Sequence, residues 1–272
     1  YDMRKSTWFR AGGNALGYVI VNSISDLKTI ISYADQIKYY IVGVGSNLMV
    51  RDGGFDGLII KLGKNFNKIK ISKNMLSVGA GVLDANLAKF ALKNSIKDFE
   101  FFSGIPGTIG GAIKMNAGCY GGQTADNLKR ILVINKLGKT EYLTKDELKL
   151  KYRSSNLSDE LIVLKADFIC KYSSASEIIE KKNYIKLKRD GSQPIKEKTS
   201  GSTFKNPSGK YAAVLIEKAG CKGMKNGGAS VSSIHSNFII NNGEATALDI
   251  ENLGKKIIKK VKEKFGITLE WE

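Results

Sequence analysis

The stretch that decides the fold is SGIPGTIGGAIKMNAGCYGG, residues 103–122. Glycine recurs through it at Gly104, Gly107, Gly110, Gly111, Gly118, Gly121 and Gly122, interleaved with Ile, Met, Ala and Tyr. A flexible linker is polar and rich in serine. This segment is apolar and lies between periodic, structure-forming runs. Bare backbone beside apolar side chains suits a wall against a flat, largely uncharged ring system with a phosphate tail. Upstream, VGVGSNL (residues 42–48) ends a strand-like run in Gly-x-Gly-Ser-Asn. Its glycines, consecutive N–H groups and the donors of Ser46 and Asn47 suit an anion nest, and taken alone they equally describe a tight surface turn. The Rossmann fingerprint is excluded, because its third glycine would fall on Leu48. Two glycine loops converging on one extended ligand point to a dinucleotide, and the non-Rossmann pattern points to a flavin.

Outward from these loops, residues 18–24 read as a strand and Ser25-Asp26 as the cap of a helix carrying Leu27, Ile30, Ile31 and Ala34 on its apolar face. Strands at 39–44 and 57–62 complete a β-α-β-β unit within the first 65 residues. Residues 68–80 predict a hairpin turning at Lys73-Asn74, and 83–94 a helix through Leu83, Leu87, Phe90 and Ala91. Strands follow at 130–135, 139–143 and 161–171, with a helix starting at Thr144. A polar, then lysine-rich shift at 172–180 places a domain boundary, giving 1–175 (lobes of about 1–65 and 66–175) and 176–272. The second part predicts helices at 176–189, 211–219 and 247–264, a strand within 229–240 and a closing strand at 267–271.

The 272 residues are 42% hydrophobic and 25% charged, a globular balance. Net charge is +17, nearly all lysine; the arginines are Arg4, Arg10, Arg51, Arg130, Arg153 and Arg189. Scattered lysine without interleaved aromatics or a known module argues against a nucleic-acid partner. It fits either compositional bias or steering of anionic small molecules. No apolar run approaches the roughly 18 residues of a membrane span, so no membrane insertion is expected. Cys119, Cys170 and Cys221 form no CxxC pair, which predicts a reducing, cytoplasmic setting and no metal site. The single histidine, His235, reads as a structural hydrogen-bonding residue, and Cys119 as small apolar filler.

The segments VGVGSNLMVRDGG, SGIPGTIGGAIKMNAGCYGG, KYRSSN, GSTFKNP, HSNFIINNG and TLEWE, in this order, resemble the UDP-N-acetylenolpyruvoylglucosamine reductases of bacterial peptidoglycan synthesis. The likeness spans about residues 4–272. The short spacing between KYRSSN and GSTFKNP resembles the compact type, which lacks an inserted substrate loop. The resemblance implies an α+β fold: a vanillyl-alcohol-oxidase/PCMH-like FAD-binding domain in two lobes, then a C-terminal α+β substrate domain. It implies noncovalent FAD, NADPH as hydride donor, a nucleotide-sugar substrate and a monomer. The family continues past its catalytic acid, so further residues are expected beyond both ends.

Carried over residue by residue, the carboxylate-binding arginine falls on Arg153, beside Tyr152, and the proton-donor serine on Ser202. The catalytic glutamate falls on Glu272, and substrate diphosphate contacts on Asn206 and Lys205. The flavin loops correspond to Gly43, Val44, Gly45, Ser46, Asn47 and Leu48, and to Gly104, Ile105, Pro106, Gly107, Thr108, Gly110, Gly111 and Ala112, with Arg189 a further candidate for packing on the flavin. The chemistry suits these residue types. A guanidinium binds two carboxylate oxygens and stays charged. A serine is a poor acid unless a neighbour such as Lys205 polarises it. Glu272 is placed to stabilise or relay charge. The runner-up reading is another oxidoreductase of the same FAD superfamily that oxidises an alcohol, many of which attach flavin covalently through His or Cys near the glycine loops.

Overall fold

A computed structural model describes all 272 residues. The chain forms strand β1 (Ala15–Val21), helix α1 (Ile24–Ile31), β2 (Tyr39–Ile41), β3 (Phe55–Leu62), β4 (Ile69–Ser72), β5 (Met75–Gly79), α2 (Asp84–Lys93) and α3 (Ile109–Lys114). Then follow β6 (Gly118–Cys119), β7 (Gly122–Gln123), β8 (Leu128–Ile134), β9 (Thr140–Thr144), β10 (Ile162–Ile169), α4 (Ala175–Asp190), α5 (Ala212–Lys218), β11 (Lys225–Asn226), β12 (Ala229–Val231), β13 (Ile239–Asn241) and α6 (Ala247–Phe265). The mixture is α+β, as the sequence predicts.

Two compact units result, each discontinuous in sequence. One holds Tyr1–Leu16, Val44–Asp56 and Asp190–Glu272; the other holds Gly17–Gly43 and Gly57–Arg189. This division parts the chain at 189/190, not at the compositional shift of 172–180. The reason lies in α4, whose Ile178 and Ile185 are buried and whose Ile185 joins the hydrophobic core of the second unit.

The second unit carries a three-stranded sheet, β1-β3-β2, in which β2 and β3 run parallel, and a five-stranded sheet, β4-β5-β10-β8-β9. The central β10 pairs antiparallel with β5 and β8. Its run Ile162, Val163, Leu164, Ala166 and Phe168 is buried throughout, as a strand covered on both faces must be. Phe168 meets Phe99 edge-on at 5.6 Å, and Phe102 stacks on Phe101 at 4.2 Å. The hairpin of β4 and β5 turns at Lys73, which adopts φ 53°, beside Asn74. Helix α1 starts two residues earlier than the sequence suggests, because Ser23, not Ser25, accepts the Asp26 N–H.

The helix expected from Thr144 does not form. The Glu147 carboxylate accepts both the N–H and the hydroxyl of Thr144 at 2.7 Å. The chain then leaves helical geometry at Lys149, φ 43°.

In the first unit, α6 has a complete capping box between Thr246 and Asp249 and ends at Gly266 in the left-handed conformation. Its stripe Ile250, Leu253, Ile257 and Val261 packs into a core with Phe9, Phe204, Leu215 and Val231. The Asp52 carboxylate accepts the N–H groups of Ala247 and Leu248, both at 2.8 Å. This gives the RDGG segment a helix-capping task. The expected closing strand at 267–271 is reduced to a single bridge, Phe204 to Trp271. Their rings lie 5.0 Å apart, and Gly254 makes room, since a Cβ there would lie 2.0 Å from the Trp271 ring.

Candidate active site

The second glycine loop is built into the second unit by its backbone. Residues 80–84 run antiparallel to 107–110: Ile109 N–H donates to Val82 O (3.0 Å), Gly110 N–H to Ala80 O (2.8 Å) and Asp84 N–H to Gly107 O (3.1 Å). Several glycines here have protein-side reasons to be glycine. A Cβ on Gly43 would lie 2.4 Å from the Thr108 hydroxyl, and one on Gly107 would lie 2.4 Å from an Asp84 carboxyl oxygen. One on Gly104 would meet Ile185 at 3.2 Å and the Cys119 sulfur at 3.4 Å, and one on Gly110 would meet Ala80 O at 3.3 Å. Gly111 differs, because its Cβ position is open to within 3.8 Å of Thr108. Ile105, Pro106, Thr108 and Ala112 complete this wall, with Thr108 and Ala112 buried.

Arg153 belongs to the same unit. Lys151 and Ser154 exchange backbone hydrogen bonds of 3.0 and 3.2 Å, closing a tight turn with Tyr152 and Arg153 at its tip, Arg153 at φ 51°. The turn is fastened to the glycine loop. The buried Asn116 donates to Lys151 O (3.0 Å), Ser155 donates to Lys114 O (2.8 Å), and Arg153 Nη2 donates to Gly118 O (2.9 Å). The guanidinium also lies over the Tyr152 ring at 4.9 Å. Cys119 follows Gly118, half-buried, its Sγ 3.4 Å from Phe101 O. Burial pushes its thiol up to about 11, although Arg189 and Arg153 both pull the other way. Arg189 therefore lies within electrostatic reach of this corner.

The first unit holds Ser202 and Glu272 on adjacent backbone. Ser202 bridges Phe238, and Gly201 before it takes φ 82°. Thr203 N–H donates to Asn237 O (2.7 Å), and Glu272 N–H donates to Thr203 O (3.0 Å). Asn237 is buried. Its Oδ1 accepts the Phe204 N–H (3.0 Å) and its Nδ2 donates to Phe204 O (2.8 Å). His235 Nδ1 in turn accepts the Asn237 N–H (3.3 Å), and its ring meets Phe238 edge-on. Burial holds the His235 pKa below the ordinary value of 6.5, in keeping with the structural role read from the sequence.

The first glycine loop divides between the units after Gly43; Val44, Gly45, Ser46, Asn47 and Leu48 fall in the first. Asn47 donates to Glu272 O (3.3 Å), and Ser200 donates to Leu48 O (3.5 Å). Gly45, at φ 65°, is required by the chain itself, because a Cβ would lie 2.0 Å from Ser6 O. Lys205 pairs with Glu270 at 3.6 Å, and the Asn206 side-chain Oδ1 accepts the Ala212 N–H at the start of α5 (2.9 Å). Sequence reasoning gave no role to Asn237 or Asn116, although the first stands in HSNFIINNG and the second in the glycine-rich stretch 103–122.

A wall of glycine and small apolar residues, with the Cβ position of Gly111 open, fits a flat flavin ring system. No helix is long and apolar enough to cross a membrane.

Comparison with known proteins agrees with this geometry. Residues 15–144 match a family model described as an FAD binding domain, and residues 193–272 match the C-terminal domain of UDP-N-acetylenolpyruvoylglucosamine reductase. The chain is 46% identical to the UDP-N-acetylenolpyruvoylglucosamine reductases of Rickettsia conorii and Rickettsia typhi, each alignment covering 100% of this chain and 92% of the relative. The crystal structure of the UDP-N-acetylenolpyruvylglucosamine reductase from Thermus caldophilus superposes with a TM-score of 0.87 at 33% identity, covering 100% of this chain and 97% of that one.

Proposed function

The chain belongs to the UDP-N-acetylenolpyruvoylglucosamine reductase family, and from that premise we propose that it reduces the enolpyruvyl group of UDP-N-acetylglucosamine enolpyruvate to give UDP-N-acetylmuramate. Noncovalent FAD, when bound, supplies the hydride chemistry, passing a hydride from NADPH to the vinyl carbon of the substrate. In this reading residues 15–144 lie in the FAD-binding domain and residues 193–272 in the substrate domain of a cytoplasmic monomer.

Each residue then has a defined task. Arg153 binds the substrate carboxylate and stabilises the enolate-like charge that develops when the hydride arrives. Ser202 gives its hydroxyl proton to the α carbon. Glu272 relays charge beside Ser202. Tyr152, Lys205 and Asn206 bind the nucleotide sugar. Gly43 to Leu48, the 104–112 loop and Arg189 hold the cofactor.

The observation that carries the reading is the anchoring of Arg153. Its guanidinium is fixed to Gly118 O at 2.9 Å and laid over Tyr152, so a bidentate cation is presented at a set angle beside the flavin wall. A covalent flavin link through Cys119 is disfavoured by its buried thiol, because the thiolate is the nucleophile. The test is a visible spectrum of the purified protein, then anaerobic addition of NADPH and of the enolpyruvyl substrate. The flavin bands should bleach with NADPH and return with substrate, and denaturation should release free FAD. A flavin that NADPH reduces but the enolpyruvyl sugar fails to reoxidise would overturn the assignment.

A further inference from the structure

We propose that Asn116 is a positioning residue for Arg153: its side-chain amide ties the turn that presents the guanidinium to the end of α3 in the glycine loop. The inference rests on the role assigned to Arg153 above and adds the residue that sets its angle. Helix α3 ends in a complete Schellman motif. Ala117 N–H donates to Ala112 O (2.8 Å), Asn116 N–H donates to Ile113 O (3.1 Å), and Asn116 takes the left-handed conformation at φ 40°. Glycine is the usual residue at that position, because it carries no Cβ penalty there. In a stretch crowded with glycine, asparagine stands here instead, 2% exposed. The backbone alone gives no reason for that choice, so the reason lies in the side chain.

The amide has partners at both ends. Its Oδ1 accepts the Ala125 N–H (3.0 Å), and its Nδ2 donates to Gln123 Oε1 (3.1 Å) and to Lys151 O (3.0 Å). One side chain thereby joins the end of α3, the short 124–126 turn and the Arg153 turn. Lys151 O also accepts the Ser154 N–H (3.2 Å) that closes the Arg153 turn, so the Asn116 bond lands at the neck of that turn. Tyr152 and Arg153 lie outside every strand and helix. Arg153 sits at φ 51°, a conformation that a non-glycine residue keeps only where its surroundings impose it. Its guanidinium reaches back to Gly118 O, two residues beyond Asn116. Turn and guanidinium therefore take their reference from one segment, 116–118. A guanidinium fork binds a carboxylate directionally, so a small rotation of the turn misplaces both of its N–H groups.

Asn116→Gly removes the amide and keeps the left-handed cap. Hydrogen exchange of the full chain, without and with FAD, should be faster at the Ser154 N–H and unchanged along β10. FAD binding and flavin reduction by NADPH should match wild type, while reoxidation by the enolpyruvyl substrate slows about tenfold or more. In an Arg153→Lys background the same change should cost that half-reaction at most about twofold, because the angle of a fork already lost no longer matters. Arg153→Lys alone is the control: unchanged reoxidation there would refute the reading of Arg153 itself, and the exchange at Ser154 is read independently of it. Asn116→Asp keeps the shape and the acceptor for Ala125 N–H, but as a carboxylate it has no donor for Lys151 O. Its reoxidation rate should be low at neutral pH and recover relative to wild type as acid restores a donor proton, and this variant carries the test if Asn116→Gly fails to fold. Unchanged exchange at Ser154, wild-type reoxidation in Asn116→Gly, an equal loss in both backgrounds, a wild-type pH profile in Asn116→Asp, or loss of FAD binding in both Asn116 variants would each overturn the proposal.

Discussion

Asn237 holds both backbone polar groups of Phe204: its Oδ1 accepts the Phe204 N–H at 3.0 Å and its Nδ2 donates to the Phe204 carbonyl at 2.8 Å. The pair fixes the strand that carries Ser202 without using the serine side chain. Asn237→Ala strands a buried N–H and a buried carbonyl, each costing about 1–3 kcal/mol. The expected outcome is a lower melting temperature and a slower substrate half-reaction, with reduction of bound flavin by NADPH less affected. Thermal unfolding and stopped-flow absorbance check the two arms.

The same strand should respond to acid through His235. Its Nδ1 must be unprotonated to accept the Asn237 N–H. Because its folded pKa lies below the ordinary 6.5, the unfolded chain binds the proton more readily. The stabilisation is therefore complete above about 6.5 and is lost as the pH falls below that value. His235→Asn offers a non-titrating acceptor at the Nδ1 position. Melting temperature measured from neutral to mildly acidic pH should fall more steeply in the wild type, and parallel curves would remove His235 from this linkage.

Much of this architecture was legible because the signals are local. The hairpin around Lys73-Asn74 follows from alternation and a turn within a dozen residues, and α6 from its apolar stripe. What failed was long-range or self-satisfied. Thr144 and Glu147 make the reciprocal hydrogen bonds of a capping box, yet the chain turns out of helical geometry at Lys149 and no helix follows. Residues 1–16 and 44–56 join the C-terminal unit through contacts such as Asn241 Nδ2 to Phe9 O at 2.7 Å, which no window of sequence displays. The anion-nest pattern gives no hint that the Ser6 backbone requires glycine at 45. The residues proposed for the site all stand in dense motifs, whereas the buried amides that brace them, Asn116 and Asn237, show their task only through burial and hydrogen bonding.

Gly111 is consequently a cleaner probe of the flavin wall than Gly45 or Gly110. Its Cβ position is open and the residue is exposed. Within α3, Gly→Ala removes a propensity penalty of about 0.8–1.0 kcal/mol. Gly111→Ala should therefore leave apoprotein stability equal or raised, and Gly111→Val should weaken FAD binding without unfolding the chain. Full flavin content in Gly111→Val would move the cofactor away from this residue.

Arg153→Lys keeps the charge but loses the fork that reaches Gly118 O while still presenting N–H groups to a carboxylate. Reduction of the flavin by NADPH should proceed nearly as in the wild type, and reoxidation by the enolpyruvyl substrate should slow by about 10²-fold or more. Anaerobic stopped-flow measurement of each half-reaction separates them. An equal loss in both would indicate a folding or flavin defect.

Ser202 is positioned by backbone alone, through its bridge to Phe238 and the Thr203 N–H on Asn237 O. Removing its hydroxyl should leave the strand in place, so Ser202→Ala tests chemistry and not folding. FAD binding and reduction by NADPH should be nearly unchanged. The substrate half-reaction should slow by roughly 10²–10⁴-fold, the range typical of a lost general acid, because hydride arrival without protonation leaves an enolate-like species that can return its hydride. Ser202→Cys should recover part of the rate, since a thiol still carries a proton. Rapid mixing of reduced Ser202→Ala protein with the enolpyruvyl substrate decides the matter. Reoxidation at the wild-type rate with normal product would take the proton from water or from Glu272, whose N–H sits 3.0 Å from the neighbouring Thr203 carbonyl.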